Sequence, residues 1–351
     1  MKVVVIGAGV VGLSTAVCIQ ETYASCDVTV MSEKFPPEDI VSLVAGGLVV
    51  GTRGEFDTSD RIRAFIDTAN YFTRLSFAEN YQVHGVQMID GCYCMATETY
   101  GEQLSEELMP ISAASFRKVV PMSADECRDV MPYKPCSGWH VTSVCVDTRR
   151  YLPYLLNKFH RNGGHIKRCK VHSFSQVAQE YDVIINCTGL GSRELARDSN
   201  MYPVKGQLLK METDKKVTDF LYFMNLSVKS DGSHTNFYYI PHGNEVVVGG
   251  SYDPDVENRS VDADLSRELE AMARQLHPVM KTGRVVKEYT GLRPVRRGIL
   301  RIDKKIEVVD GKRTVIIHNY GQSQDGVAMS WGSALQVIEL LAPELRINSR
   351  L

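Results

Sequence analysis

Residues 3–14 read VVVIGAGVVGLS, and this stretch constrains the fold more than any other part of the 351-residue chain. Val3, Val4, Val5 and Ile6 form a continuous apolar run, as a parallel strand buried on both faces requires. Leu13, Ala16, Val17 and Ile19 then put apolar groups on one face of a following helix. Between them Gly7, Gly9 and Gly12 are spaced GxGxxG. The first permits a tight turn, the second lets backbone approach a pyrophosphate, and the third lets helix and strand pack closely. The helix start, at Val10 and Val11, would face the phosphate charge. A second strand over Val28–Met31 runs into Ser32, Glu33 and Lys34. A carboxylate at Glu33 suits adenosine ribose hydroxyls and would repel a 2′-phosphate, which disfavours NADP. A glycine turn that merely joins strand to helix is the plain alternative.

The length allows two domains, and a formal net charge of −2 with 44% hydrophobic residues describes an ordinary globular chain. No basic excess suggests a nucleic-acid partner. Met1 and Lys2 lead straight into the first strand, which leaves no room for a cleavable signal segment, and no apolar run reaches membrane-spanning length. Nine cysteines at irregular spacing do not resemble a disulfide framework. Cys92 and Cys94 would share one face of a strand, a structural role. The sequons at Asn186, Asn225 and Asn258 read as chance matches.

Further along, the small-residue stretch VSLVAGGLVVG at 41–51 would let backbone approach a flat cofactor. Thr58, Ser59 and Asp60 offer N-cap oxygens to a helix carrying Ile62, Phe65, Ile66, Ala69, Phe72 and Leu75. Strand-like pieces follow at Val86–Ile89 and Cys92–Ala96, then a helix from Tyr151 and a strand over Ile166–Val171. Val183–Ile185 leads into a glycine turn through Cys187, Thr188 and Gly189, a second edge for a nucleotide. Gln207–Met211, Phe237–Ile240 and Val246–Val248 alternate as an antiparallel sheet does. A helix over 265–276 would cover it. These patterns predict an α/β fold: a Rossmann-like domain on a parallel sheet (1–50, 146–200, 294–346), interleaved with a domain on a mixed or antiparallel sheet (51–145, 201–293), and a tail at 347–351.

Six pieces together resemble one known family: IGAGVVGLSTAVCI at 6–19, VAGG at 44–47, IINCTGLGSRELARDS at 184–199, VKGQ at 204–207, GLRPVR at 291–296, and IIHNYG at 316–321 followed by WGSA. The chain resembles the D-amino-acid oxidase family over essentially its whole length, and the GLGSR and DS pieces resemble the branch that oxidises D-aspartate. The resemblance implies non-covalent FAD with its ring between the two domains. Gly7, Gly9, Val10, Val11, Gly12, Glu33 and Lys34 would then serve the ADP half, Val171 the adenine by its backbone, and Ala45, Gly46, Gly47 and Leu48 the flavin. The turn Ser323, Gln324, Asp325, Gly326, Val327 and Ala328 would aim amides and a helix dipole at the flavin O2 side. Arg293 would clamp the substrate α-carboxylate with help from the Tyr238 hydroxyl, while Tyr252 and Gln324 would lie beside the substrate. A D-amino acid and O2 are then the substrates, and a 2-oxo acid, ammonia and hydrogen peroxide the products.

The chain departs from the family pattern at several points. Tyr252 stands where the aspartate branch carries a second arginine. Lys215, Lys216, Lys229 and His234 are candidate replacements, in a segment (208–237) expected to form a lid. Leu43, Lys205 and Ala328 replace an acid, an arginine and a hydroxyl residue. The chain's last residues, Ser349, Arg350 and Leu351, vary the SKL address that a peroxisomal import receptor reads, which gives an expected location in the peroxisome matrix. Two other readings stay open, neutral D-amino acids as substrates and a non-catalytic flavin-binding protein; the 182–192 strand-turn and the HNYG region argue against an NAD-dependent dehydrogenase, and Asp325 at the second glycine position of GQSQD argues against a hydrolase. The nine histidines include no HExxH pair for a metal enzyme.

Overall fold

A computed structural model describes residues 1–50, 58–78, 80–103, 118–228 and 234–348. One sheet has the spatial strand order Arg301–Val309, Lys312–Tyr320, Val183–Asn186, Lys2–Ile6, Asp27–Ser32, His165–Arg168. Every neighbour pairing in it is parallel except that of Arg301–Val309 with Lys312–Tyr320, an antiparallel hairpin at one edge. Val3, Val4, Val5, Ile184 and Ile317 are fully buried within it, as the unbroken apolar runs predict.

The helices Val10–Thr22, Ser59–Ala78, Thr148–Arg161 and Ser330–Asn348 share one core with this sheet. Phe65, Phe72 and Phe159 are fully buried there, and each such burial stabilises the fold by roughly 1.5–3 kcal/mol. The expected cap is in place, since the Arg61 N–H donates to Thr58 Oγ1 at 3.2 Å. The boundary drawn at residue 51 assigns Ser59–Ala78 to the other domain. The helix nonetheless packs on Ser330–Asn348, and the Gly332 N–H donates to the buried Thr68 hydroxyl at 2.8 Å.

The second sheet runs Arg284–Arg296, Met201–Glu212, Glu245–Pro254, His234–His242, Asp219–Val228, Val86–Ala96, Cys136–Val146, Val119–Pro121. It is mixed, with a parallel pairing between Val86–Ala96 and Asp219–Val228 and antiparallel pairings elsewhere. The helix Ala263–Leu276, capped by Asp262, buries Leu269 and Ala273 in the core of this sheet.

Three expectations need correction. The strand expected over Ile166–Val171 ends at Arg168, so Val171 lies beyond it. The two pieces between 86 and 96 are one strand. Most of the segment expected as a lid is sheet: Asp219–Val228 lies between two neighbours as an interior strand. Its buried Phe220, Leu221 and Phe223 show no period-two alternation and are flanked by polar Asp219 and Asn225, which makes it read as loop.

Candidate active site

A cavity of about 520 Å³ opens where the two sheets meet. Its wall begins at Gly7, Ala8, Gly9, Val10 and Val11. Gly7 has φ +113°, and a Cβ on Gly12 would lie 1.9 Å from the Gly7 carbonyl oxygen. The turn therefore closes onto the helix only with glycine at both positions. Gly9 caps the helix without a side-chain hydrogen bond, and the first turn contains no acidic residue. A carboxylate-free helix start whose N-cap glycine carries no side chain suits an anionic pyrophosphate. The Val10 N–H donates to Ser42 Oγ at 3.1 Å, which seats the lip 39–42 over this start.

Ala45, Gly46, Gly47 and Leu48 continue the wall, with Cys187, Thr188 and Gly189 beside them. The buried His242 donates from Nε2 to the Gly46 carbonyl at 3.1 Å, and the Val146 N–H donates to the Gly47 carbonyl at 2.9 Å. Burial pushes the His242 pKa down, so the ring stays neutral at this anchor. Ser323, Gln324, Asp325, Gly326, Val327 and Ala328 also line the cavity, just before the helix that starts at Ser330. Arg61 pairs with Asp325 at 2.8 Å, both side chains largely buried. The buried amides are ordered in a chain: Gln322 Nε2 donates to Asn319 Oδ1 at 2.7 Å, and Asn319 Nδ2 donates to Thr15 Oγ1 at 3.2 Å.

Arg293 and Tyr238 meet in the same cavity. Arg293 Nη1 donates to the Ser251 carbonyl at 2.9 Å and to the Lys205 carbonyl at 3.3 Å, and the guanidinium lies 5.7 Å from the Tyr252 ring centroid. Two glycines make room for the pair. A Cβ on Gly206 would lie 2.3 Å from Arg293 Nη1, and one on Gly249 would lie 2.3 Å from the Tyr238 hydroxyl. Burial raises the Tyr238 pKa and the neighbouring Arg293 charge opposes the rise, leaving it above the ordinary value. Tyr238 thus remains a neutral donor beside a fixed cation, an arrangement suited to a planar carboxylate. Its ring stacks on Tyr222 at 5.5 Å, and Tyr222 stacks on Tyr93 at 5.7 Å, across strands in register.

The remaining expected residues lie elsewhere. Gly12 packs beneath the turn, while Glu33 and Lys34 stand past the Asp27–Ser32 strand, outside the lining. Ser32 and Asp39 line that end instead. The Glu33 carbonyl accepts from Arg168, and Lys34 Nζ donates to the Asp39 carbonyl at 3.3 Å. Val171 packs with the cluster of Val4 and Ile6. Tyr252 is half-buried behind Arg293 rather than in the wall. Lys215 and Lys216 are exposed in the turn 213–218, away from the cavity. Lys229, the His234 side chain and Ser349–Leu351 lie outside the described residues. Sequence reasoning missed Ser42, Gly206, Tyr222, His242, Arg259 and Arg61. VKGQ was visible as a motif, but only the folded chain shows that its glycine, paired with Gly291, leaves room for the Arg293 guanidinium.

Among the described residues no group of three or more His, Cys, Asp or Glu side chains could hold a metal ion, and no helix is long and apolar enough to cross a membrane. The nine cysteines are all free.

The sequence profile of the family described as FAD dependent oxidoreductase matches residues 2–340. Human D-aspartate oxidase is 30% identical over 344 residues, covering 97% of this chain and 94% of that protein. A D-amino acid oxidase from Dugesia ryukyuensis is 27% identical, covering 97% of this chain and 98% of that protein. Among solved structures, glycine oxidase from Geobacillus kaustophilus superposes with a TM-score of 0.75 at 16% identity, over 97% of this chain and 95% of that one.

Proposed function

From a chain that belongs to the FAD-dependent oxidoreductase family, with FAD as its cofactor, we propose an oxidase that deaminates D-amino acids held by their α-carboxylate on Arg293 and Tyr238. The observation that carries this reading is the juxtaposition of a fixed guanidinium and a buried neutral phenol in the cavity that the glycine turn also lines. When bound, FAD supplies a two-electron acceptor for the Cα hydride and a donor to O2. The residues that would hold it fit: a carboxylate-free helix start behind Gly9 for its pyrophosphate, and the clamped 45–48 backbone with the 323–328 turn for its ring.

Arg293 does the orienting. Its Nη1 is already held by two backbone carbonyls, so little side-chain entropy is lost when a carboxylate binds. The Tyr238 hydroxyl donates to the same carboxylate. Once the amine is also held, one enantiomer alone would present its Cα hydrogen to the acceptor, and no protein base is needed. The imino acid formed hydrolyses to a 2-oxo acid and ammonia.

The side chain of the substrate is the finer part of the proposal. Likeness to human D-aspartate oxidase supports acidic D-amino acids. A specific observation favours a second reading, neutral D-amino acids: Leu48, Val50, Leu208, Tyr222 and Ile240 give the cavity apolar walls, and Asp325 adds a carboxylate. Peroxide formation from D-aspartate, D-glutamate, D-alanine and D-phenylalanine separates the two. Turnover confined to the acidic pair supports the first reading, and turnover of the neutral pair replaces it with the second. We also propose that SRL delivers the protein to peroxisomes; a truncation of Ser349–Leu351 that stays peroxisomal would contradict that.

A further inference from the structure

The cavity contains a second arginine that carboxylate binding does not use. Arg259 lines it where the lip 39–42 crosses the start of the helix Val10–Thr22, and its Nη1 lies 3.2 Å from Asp39 Oδ2. Thr290 Oγ1 donates to the Arg259 carbonyl at 2.7 Å, which seats the arginine on the strand Arg284–Arg296. That strand abuts the lip directly, because a Cβ on Gly291 would lie 3.3 Å from both Val41 and Val44.

The charges along the wall are Asp39, Arg259, Arg293 and Asp325. Asp325 is paired with Arg61, and Arg293 stands beside Tyr238. The glycine-turn end is thus left with Asp39 and Arg259 in the wall, and with Lys34, outside the wall, whose Nζ lies 4.0 Å from the same Asp39 oxygen. A pyrophosphate arriving at the helix start would meet the Asp39 carboxylate as a like charge, which Arg259 offsets. A guanidinium has donors enough to keep a carboxylate on one edge and take a phosphate oxygen on another. The Arg259 side chain is 45% exposed, so it can turn toward a new partner without breaking a core.

We propose that Arg259 closes over the pyrophosphate of FAD from the side opposite the helix start. Cofactor retention then depends on a residue of the segment that follows the strand Glu245–Pro254 in the second sheet, outside the glycine motif.

The test is titration of apoprotein with FAD and, separately, with riboflavin, which lacks phosphate, read by flavin fluorescence. Arg259→Ala is expected to weaken FAD binding by about ten- to a hundredfold and leave riboflavin affinity unchanged. Arg259→Lys, a point charge, should fall between. Asp39→Asn removes the competing carboxylate and should tighten FAD by about threefold. FAD affinity unchanged in Arg259→Ala overturns the proposal. So does an equal loss of FAD and riboflavin, which would signal a disturbed ring site. A variant that binds FAD normally and only raises KM for the amino acid would assign Arg259 to substrate entry instead.

Discussion

Arg293 is the residue on which the proposed chemistry turns. Replacing it with alanine should lower kcat/KM by about a hundredfold or more, from the loss of a charge-assisted pair, while leaving FAD bound; near-normal turnover would mean the carboxylate is held elsewhere. Gly206→Ala should produce a milder version of the same defect, because the new Cβ would have to displace the guanidinium. Gly12→Ala acts at the other end, where a Cβ 1.9 Å from the Gly7 carbonyl forces helix and turn apart. The purified variant should be colourless, and a yellow protein would contradict the assignment of that turn. At this scale the sequence was legible where one residue type has one physical task. The glycine motif is readable from its spacing and Arg293 only from the resemblance of its GLRP segment to a family motif, whereas Ser42, Tyr222 and His242 carry no such mark. Their roles come from strands and loops that meet only in three dimensions.

At the scale of elements, the strand Lys312–Tyr320 shows how packing sets a pH response. His318 is buried, accepts from the Asn186 side-chain amide at 3.3 Å, and has its pKa lowered to about 4 by burial and then by Arg301. A depressed histidine is neutral when folded and takes up a proton more readily when unfolded. Between the ordinary value near 6.5 and about 4, the unfolded state therefore binds more protons, and stability falls as pH falls. The full loss across that window is on the order of 3 kcal/mol. Urea unfolding of His318→Asn beside the parent from pH 7 to pH 4 should show a shallower decline in the variant; parallel curves would count against it. The element pattern was legible for the buried parallel strands and the amphipathic helices, whose periods are strong. It failed for Asp219–Val228, where an interior strand reads as loop, and at Val171, where the exposed strand His165–Arg168 gives too little apolar signal to mark its end.

For the whole molecule, two sheets meet at a cavity, and each supplies half of the proposed site. The first brings the glycine turn and the 187–189 edge, and the second brings Arg293, Tyr238 and Arg259. Interleaving of the two along the chain was legible from the alternation of pattern types. The joint between them was not, because Ser59–Ala78 packs with the first sheet's core while preceding the second sheet's strands. On the proposed function, this joint presents the Cα hydrogen of a D-amino acid to FAD. Anaerobic mixing of the purified yellow protein with D-aspartate, D-glutamate, D-alanine and their L forms tests it most directly. Bleaching of the flavin band by D forms, lost in Arg293→Ala without loss of colour before mixing, is the predicted result. Bleaching by L forms alone, or a flavin that no amino acid reduces, would contradict the account.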